Sequence, residues 1–254
     1  MREHALNEHA AAQKMQIPVS SDEQKKLLRA LMNVRLPRAV SQEFLKVQDD
    51  YLKEELSEKG IVRITDLQPM QEGIYLWQGD ITRLATDAIV NAANSGMTGC
   101  YQPNHTCIDN CIHTFAGVQL RQECAKLMEQ QGHEEPTGQA KITSAYNLPC
   151  KYVLHTVGPI VNRTAFGLGE PTRVHCEQLA SCYRSCMELA ERNHCGSIAF
   201  CCISTGVFCF PNEKAAEIAV QTVMEYREKT NSDMEVVFNV FKDEDYEIYK
   251  RLLG

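Results

Sequence analysis

Long apolar runs are missing from this 254-residue chain. Nothing in it approaches the roughly 18–20 consecutive apolar residues that a membrane-spanning helix needs. The N-terminus, MREHALNEHAAAQKMQ, has no apolar core of the kind a secretory signal carries. An excess of positive charge is missing too: 26 Lys and Arg face 33 Asp and Glu, for a net charge of −7. That balance argues against a non-specific nucleic-acid binder. No internal repeat and no low-complexity tract appears. Together these absences predict a soluble, cytoplasmic protein with neither a membrane nor a nucleic acid as partner.

Cysteine is abundant, at 12 residues. Most cysteines fall inside apolar, regular-looking segments, such as Cys182 and Cys186 on a helix pattern and Cys201 and Cys202 in a strand. Free cysteine packs as a small hydrophobe, so these read as core in a reducing compartment. Cys100 and Cys107 differ, because they flank His105 in a polar loop.

The 44% hydrophobic content supplies a full core, and the pattern divides in two. Residues 1–72 read as a small helical extension. Residues 1–20 look poorly ordered or weakly helical. A helix is expected over 22–34, with Ser20 and Ser21 as caps, Glu23 and Gln24 as capping-box partners, and Leu27, Leu28, Leu31 and Met32 as its apolar stripe. A second helix runs from about Ser41 to Ser57, with Gly60 at its stop. Two such helices cannot enclose a core alone, so they are expected to dock on the larger C-terminal domain. DLQPMQEG reads as the linker. From Gly73 strands and helices alternate. Strands are expected at 74–78, 88–93, 142–146, 152–157, 197–204 and 235–241, and helices at 109–131, 173–193, 212–229 and 243–252. Continuous apolar strands suit a sheet covered on both faces. The expected fold is a three-layer α/β/α domain with a mixed central sheet over 73–254. Ligands in such folds bind at the carboxyl ends of the strands, where Gln78-Gly79-Asp80, Asn91 to Asp109 and Ser204 to Phe208 fall.

Read singly, these segments say little. Ser204-Thr205-Gly206 at a strand-to-helix junction suits an anion, but a plain turn is the simpler reading. The chain lacks the spacing of a P-loop and of a dinucleotide fingerprint. Asp80 is placed either to accept from an exocyclic amine or, more simply, to cap the turn at Ile81. Cys100, His105 and Cys107 offer two thiolates and an imidazole, a set that suits zinc. No second CxxC completes a structural site: either Cys111 or His113 supplies a fourth ligand or one position stays open, and spacing alone fits three unrelated loop residues equally well. Asp109 stands at a predicted helix start, where a carboxylate is favoured as the ion whether it caps the helix or does acid–base work. Asn91 and Asn94 are turn residues or partners for sugar hydroxyls. His155 reads as a core histidine.

Taken in order, QGDITRLATDAIVNAAN, CIDNCIH, KITSAYNLPCKYVLHTVGP, CCISTGVFCFP and VVFNVFKDEDYEIYKRLL resemble a macrodomain over residues 73 to 254. Where the best-known hydrolytic branch has a run of glycines, this chain has SGMTGCYQPNHTCID. In that respect, and in its helical extension, it resembles the zinc-containing branch. The resemblance implies Zn²⁺ on Cys100, His105 and Cys107, and removal of mono-ADP-ribose from modified protein side chains. It places Asp80 on the adenine amine with Ile81 beside it, and Phe241 against the adenine ring. Ser204, Thr205, Gly206, Val207 and Phe208 would form the diphosphate loop, and Asn94 and Asp109 the catalytic flank of the distal ribose. A mono-ADP-ribosylated protein is then the expected partner and ADP-ribose the product ligand. The alternative is a reader that binds such proteins without cleaving them.

Overall fold

Two helices open the described part of the chain, α1 over Ser21–Val34 and α2 over Gln42–Lys59. The computed structural model describes residues 16–161, 163–164 and 167–254; the expectation for the first 15 residues lies outside them. Ser41 caps α2 by accepting the Phe44 N–H at 3.1 Å. Gly60, at a positive φ of 77°, ends that helix. Ser20 sits at the head of α1 but makes no side-chain cap bond, so the expected capping box is not formed. The apolar stripe of α1 is also less used than its spacing suggests. Leu28 and Leu31 remain 39% and 41% exposed, while the polar Asn33 on the same helix is buried.

The stretch read as a linker contributes to the sheet. Pro69–Gln71 forms strand β2, antiparallel to β3 at Ile74–Gln78. A proline at the first residue of an edge strand leaves no ladder donor wanting. Upstream, Val62–Arg63 (β1) pairs in parallel with Leu84–Ala85 (β4).

The remaining elements, in order, are β5 (Ala88–Ala92), α3 (Ile108–Ala116), α4 (Val118–Gln131), β6 (Ala140–Ser144) and β7 (Tyr152–Thr156). After the two-residue strands β8 (Arg163–Thr164) and β9 (Gly167–Leu168) come α5 (Arg173–Arg192), β10 (Ser197–Phe200), α6 (Asn212–Thr230), β11 (Glu235–Val240) and α7 (Asp243–Leu253). The main sheet has seven strands in the order β2-β3-β11-β10-β5-β7-β6. Its five inner strands are mutually parallel, and the two edges are antiparallel. Ile89, Val90, Val153, Leu154, Ile198, Val236 and Val237 have no exposed surface. That is the reason the strands read as continuous apolar runs. The expected three-layer arrangement with a mixed sheet is thus the observed one.

Two local expectations need correcting. Strand β10 stops at Phe200, so Cys201 and Cys202 lie beyond it, in the loop towards α6. The helix expected over 109–131 is broken at Gly117, where φ is 96°. The break is held by the helical extension: Gln48 of α2 accepts the Val118 N–H at 2.9 Å. A Cβ at position 117 would stand 2.6 Å from the Gln48 and Gln119 side chains. A contact across 70 residues of sequence leaves no local signature.

Candidate functional site

Because the inner strands are parallel, their carboxyl ends share one edge of the sheet. Asp80 follows β3, Phe241 follows β11, the Ser204 to Phe208 loop follows β10, and Asn94 follows β5. These four strands are consecutive in the sheet, and neighbours lie about 4.8 Å apart, so the segments are spread over about 14 Å. Their spatial order is Asp80, Phe241, the Ser204 loop, then Asn94 with Asp109.

Asp80 caps the short turn Ile81–Arg83. Its Oδ1 accepts the Thr82 N–H at 3.0 Å and the Thr82 hydroxyl at 2.6 Å. Its Oδ2 stands 3.8 Å from Lys59 of α2. Ile81, beside it, is buried, at 1% exposure. Phe241 is 77% exposed, free to lie against a planar group.

The Ser204 loop is tightly folded just ahead of α6. Ser204 takes a positive φ of 66° and accepts the Phe210 N–H on its carbonyl at 3.0 Å. The Val161 N–H donates to the Phe208 carbonyl at 2.8 Å, tying the loop to the segment after β7. That approach demands glycine at 158, since a Cβ there would come within 2.0 Å of the Ser204 Oγ. Val207 is exposed, and Gly206 faces open space.

Asp109 is the centre of the opposite flank. It does not cap its helix. Cys107 is the N-cap of α3, its Sγ accepting the Asn110 N–H at 3.4 Å, and Asp109 lies inside the first turn. There its carboxylate is buried and gripped by two amides. Asn91 Nδ2 donates to Oδ1 at 2.8 Å, and Asn94 Nδ2 donates to Oδ2 at 3.2 Å. Burial pushes its carboxyl up to about 6, against the pull of the Asn91 bond, the Arg121 charge and the Asn94 bond.

Behind Asp109 the network continues into the core. Asn91 and His155 are register partners on β5 and β7, so both side chains leave the same face. Asn91 Nδ2 lies 3.1 Å from His155 Nδ1, and His155 Nε2 lies 2.9 Å from the Thr143 hydroxyl. An amide that already donates to Asp109 donates to the ring as well. His155 is therefore neutral with its proton on Nε2, directed at Thr143. His113 lies 3.6 Å from the same Asp109 oxygen, and neither of its ring nitrogens makes a hydrogen bond. Gly99, at a φ of 86°, admits the His113 ring, which a Cβ would meet at 2.7 Å.

Burial holds the His155 ring down to about 3, against an ordinary 6.5. A histidine depressed in the fold stabilises it above pH 6.5, and that contribution is lost as pH falls towards 3. Between pH 7.5 and 5 the parent should therefore lose about 2 kcal/mol more stability than His155→Gln. Urea melts at the two pH values measure the difference, and parallel losses in both proteins would remove His155 as the cause.

The third component is the loop between Asn94 and α3. Cys100, His105 and Cys107 offer ligand atoms that all lie within 4.8 Å of one another, with Cys100 Sγ 3.7 Å from His105 Nδ1. Tetrahedral zinc separates sulfur and nitrogen ligands by about 3.6 Å. The donor set and its spacing therefore fit zinc. A second group, His113, Cys124 and His155, is equally close, but it is buried and its His155 is already engaged by Asn91 and Thr143.

The sequence missed the work of Asn91 as the holder of Asp109 and of His155 as its neighbour. One signal was available: an amide and an imidazole each interrupt an otherwise apolar buried strand, which is costly unless they are partnered.

An α/β/α domain whose loop segments gather at the carboxyl ends of its parallel strands is the class that the fold defines. A protein-family model of the Macro domain matches residues 90–219. The chain is 58% identical to a protein-ADP-ribose hydrolase of Treponema medium, over 99% of this chain and 96% of that one. It is 51% identical to a protein-ADP-ribose hydrolase of Staphylococcus aureus strain MSSA476, over 92% and 86% respectively. Among solved structures, the Trypanosoma brucei macrodomain in complex with ADP-ribose is similar, with a TM-score of 0.68 and 31% identity over 89% of this chain and 95% of that one. The chain belongs to the Macro domain family.

Proposed function

We propose that this chain is a hydrolase that releases mono-ADP-ribose from modified protein side chains, cleaving the N- or O-glycosyl-type bond at the distal ribose. The observation that carries the reading is Asp109: a buried carboxylate held by two amides at the head of α3, beside the Cys100 to Cys107 loop. A module that only binds needs no such carboxylate. The relatives named protein-ADP-ribose hydrolase, and the ADP-ribose-bound macrodomain, support the same reading.

In this reading the ligand lies along the strand ends. Asp80 accepts the adenine amine on the oxygen not used in capping, with Ile81 beside it and Phe241 against the ring. Ser204 to Phe208 receive the diphosphate ahead of α6, where a helix N-terminus favours anions. Asn94 orients the distal ribose, and Asn91 fixes the Asp109 carboxylate. Water attacks the anomeric carbon and its proton passes to Asp109. The glycosyl bond breaks with its electron pair going to the side-chain leaving group, which is protonated in turn, and free ADP-ribose results. Cys100, His105 and Cys107 would hold zinc, which when bound supplies Lewis acidity at the distal ribose.

The test is release of ADP-ribose from a mono-ADP-ribosylated protein. Turnover well above the buffer rate is the expected result. Tight binding of the modified protein with no release over many hours would instead make the chain a reader.

A further inference from the structure

Helix α1 directs Arg29 and Asn33 at the Cys100 to Cys107 loop. Arg29 Nη2 donates to the His105 carbonyl at 2.8 Å and to Asn110 Oδ1 at 3.1 Å, and it lies 3.4 Å from Cys111 Sγ. Asn33, 1% exposed, accepts the Asn104 N–H on Oδ1 at 2.9 Å and donates to the Thr114 hydroxyl at 2.9 Å. Asn104 stands at a positive φ of 54°, a turn that this bond fixes. The carbonyls at the end of α1 do further work. Those of Asn33 and Arg35 accept from Arg121 Nη1 at 2.7 and 2.6 Å, where the negative end of the helix favours a cation. So held, Arg121 reaches the Cys100 carbonyl with Nη2 at 3.5 Å and stacks 4.3 Å from the Tyr101 ring.

Leu28 and Leu31 of the α1 apolar stripe are exposed while Asn33 is buried and Arg29 half-buried, the reverse of what simple packing of an amphipathic helix produces. Ordering a loop with little secondary structure of its own costs about 1–2 kcal/mol of entropy per residue. Partners supplied from outside the loop lower the cost of holding Cys100, His105 and Cys107 together.

From these contacts we infer that α1 is the positioning element of this loop, with Arg29 and Asn33 as positioning residues, so that the helical extension is part of the site. In its metal aspect the inference rests on the zinc reading above; in its loop-ordering aspect it does not.

Hydrogen exchange on the zinc-free full chain decides it. In Arg29→Met and in Asn33→Leu the amides of residues 104–107 should exchange at least about tenfold faster than in the parent, an opening cost of about 1.4 kcal/mol. Amides of β5 and β11 should keep their parental rates, which separates local loosening from general destabilisation. Zinc titrated against a chromophoric chelator should bind both variants about tenfold more weakly than the parent. Loop amides that exchange at the parental rate in both variants would overturn the inference, whatever the zinc result. A parent that takes up no zinc, with the loop amides still accelerated in the variants, would leave the positioning role standing and remove the metal reading alone.

Discussion

Asp109→Ala is expected to lower release of ADP-ribose from a modified protein by about 10²–10⁴-fold, the usual worth of a positioned acid–base group. Binding of free ADP-ribose should change by less than about tenfold, because the segments proposed to hold the adenine and diphosphate, Asp80 and Ser204 to Phe208, follow other strands. The fold should survive the change. The substitution removes a carboxylate that burial disfavours, and it strips one acceptor each from the Asn91 and Asn94 amides, at a cost of about 1–3 kcal/mol. Turnover measured beside calorimetric titration with ADP-ribose separates the two effects. Undiminished release by Asp109→Ala would end the catalytic role given to this carboxylate.

Removal of metal is expected to have an effect of similar size. The parent should carry about one zinc per chain, and Cys100→Ala should carry almost none. With two thiols and one imidazole available, loss of one thiol leaves only two protein ligands, too few to hold zinc against buffer. Cys107 also caps α3 through its Sγ, which makes Cys100 the cleaner substitution. Release should fall at least about 10²-fold in Cys100→Ala and in chelated parent, and only the parent should recover when zinc is returned. Metal analysis and the same turnover assay give both numbers. Chelated parent that hydrolyses at the full rate would leave the triad without a part in the reaction.

The two predictions fail differently. Loss of turnover in Asp109→Ala with zinc-independent release would keep the carboxylate and remove the metal. The opposite result would keep the metal and return Asp109 to a structural role beside Asn91 and His155.

Much of this was legible in the residues alone. The change from helical spacing to continuous apolar strands near Gly73 pointed to the layered α/β fold, because a strand buried on both faces must be apolar throughout. The polar strand exits pointed to segments that do follow four neighbouring strands, since backbone beyond a strand end is where polar groups can remain solvated. Cys100, His105 and Cys107 were visible as a donor set, because ligand chemistry belongs to residue type.

What the sequence did not show belongs to contacts between distant segments. Asp109 looked like a helix cap, yet Cys107 caps α3, and Asp109 is instead oriented by amides on β5 and the loop after it. The break at Gly117 depends on Gln48 from another helix. The apolar stripe of α1 promised a docking face, whereas its hydrogen bonds to the Cys100 to Cys107 loop are made by Arg29 and Asn33. Periodicity and residue type determine what a segment prefers locally, and those preferences set the layers and the donor chemistry. Which hydrogen bonds are formed across 70 or more residues depends on register and helix placement. Those are decided only when the whole core packs, and so only the tertiary structure showed that Asp109, the Cys100 to Cys107 loop and α1 lie together.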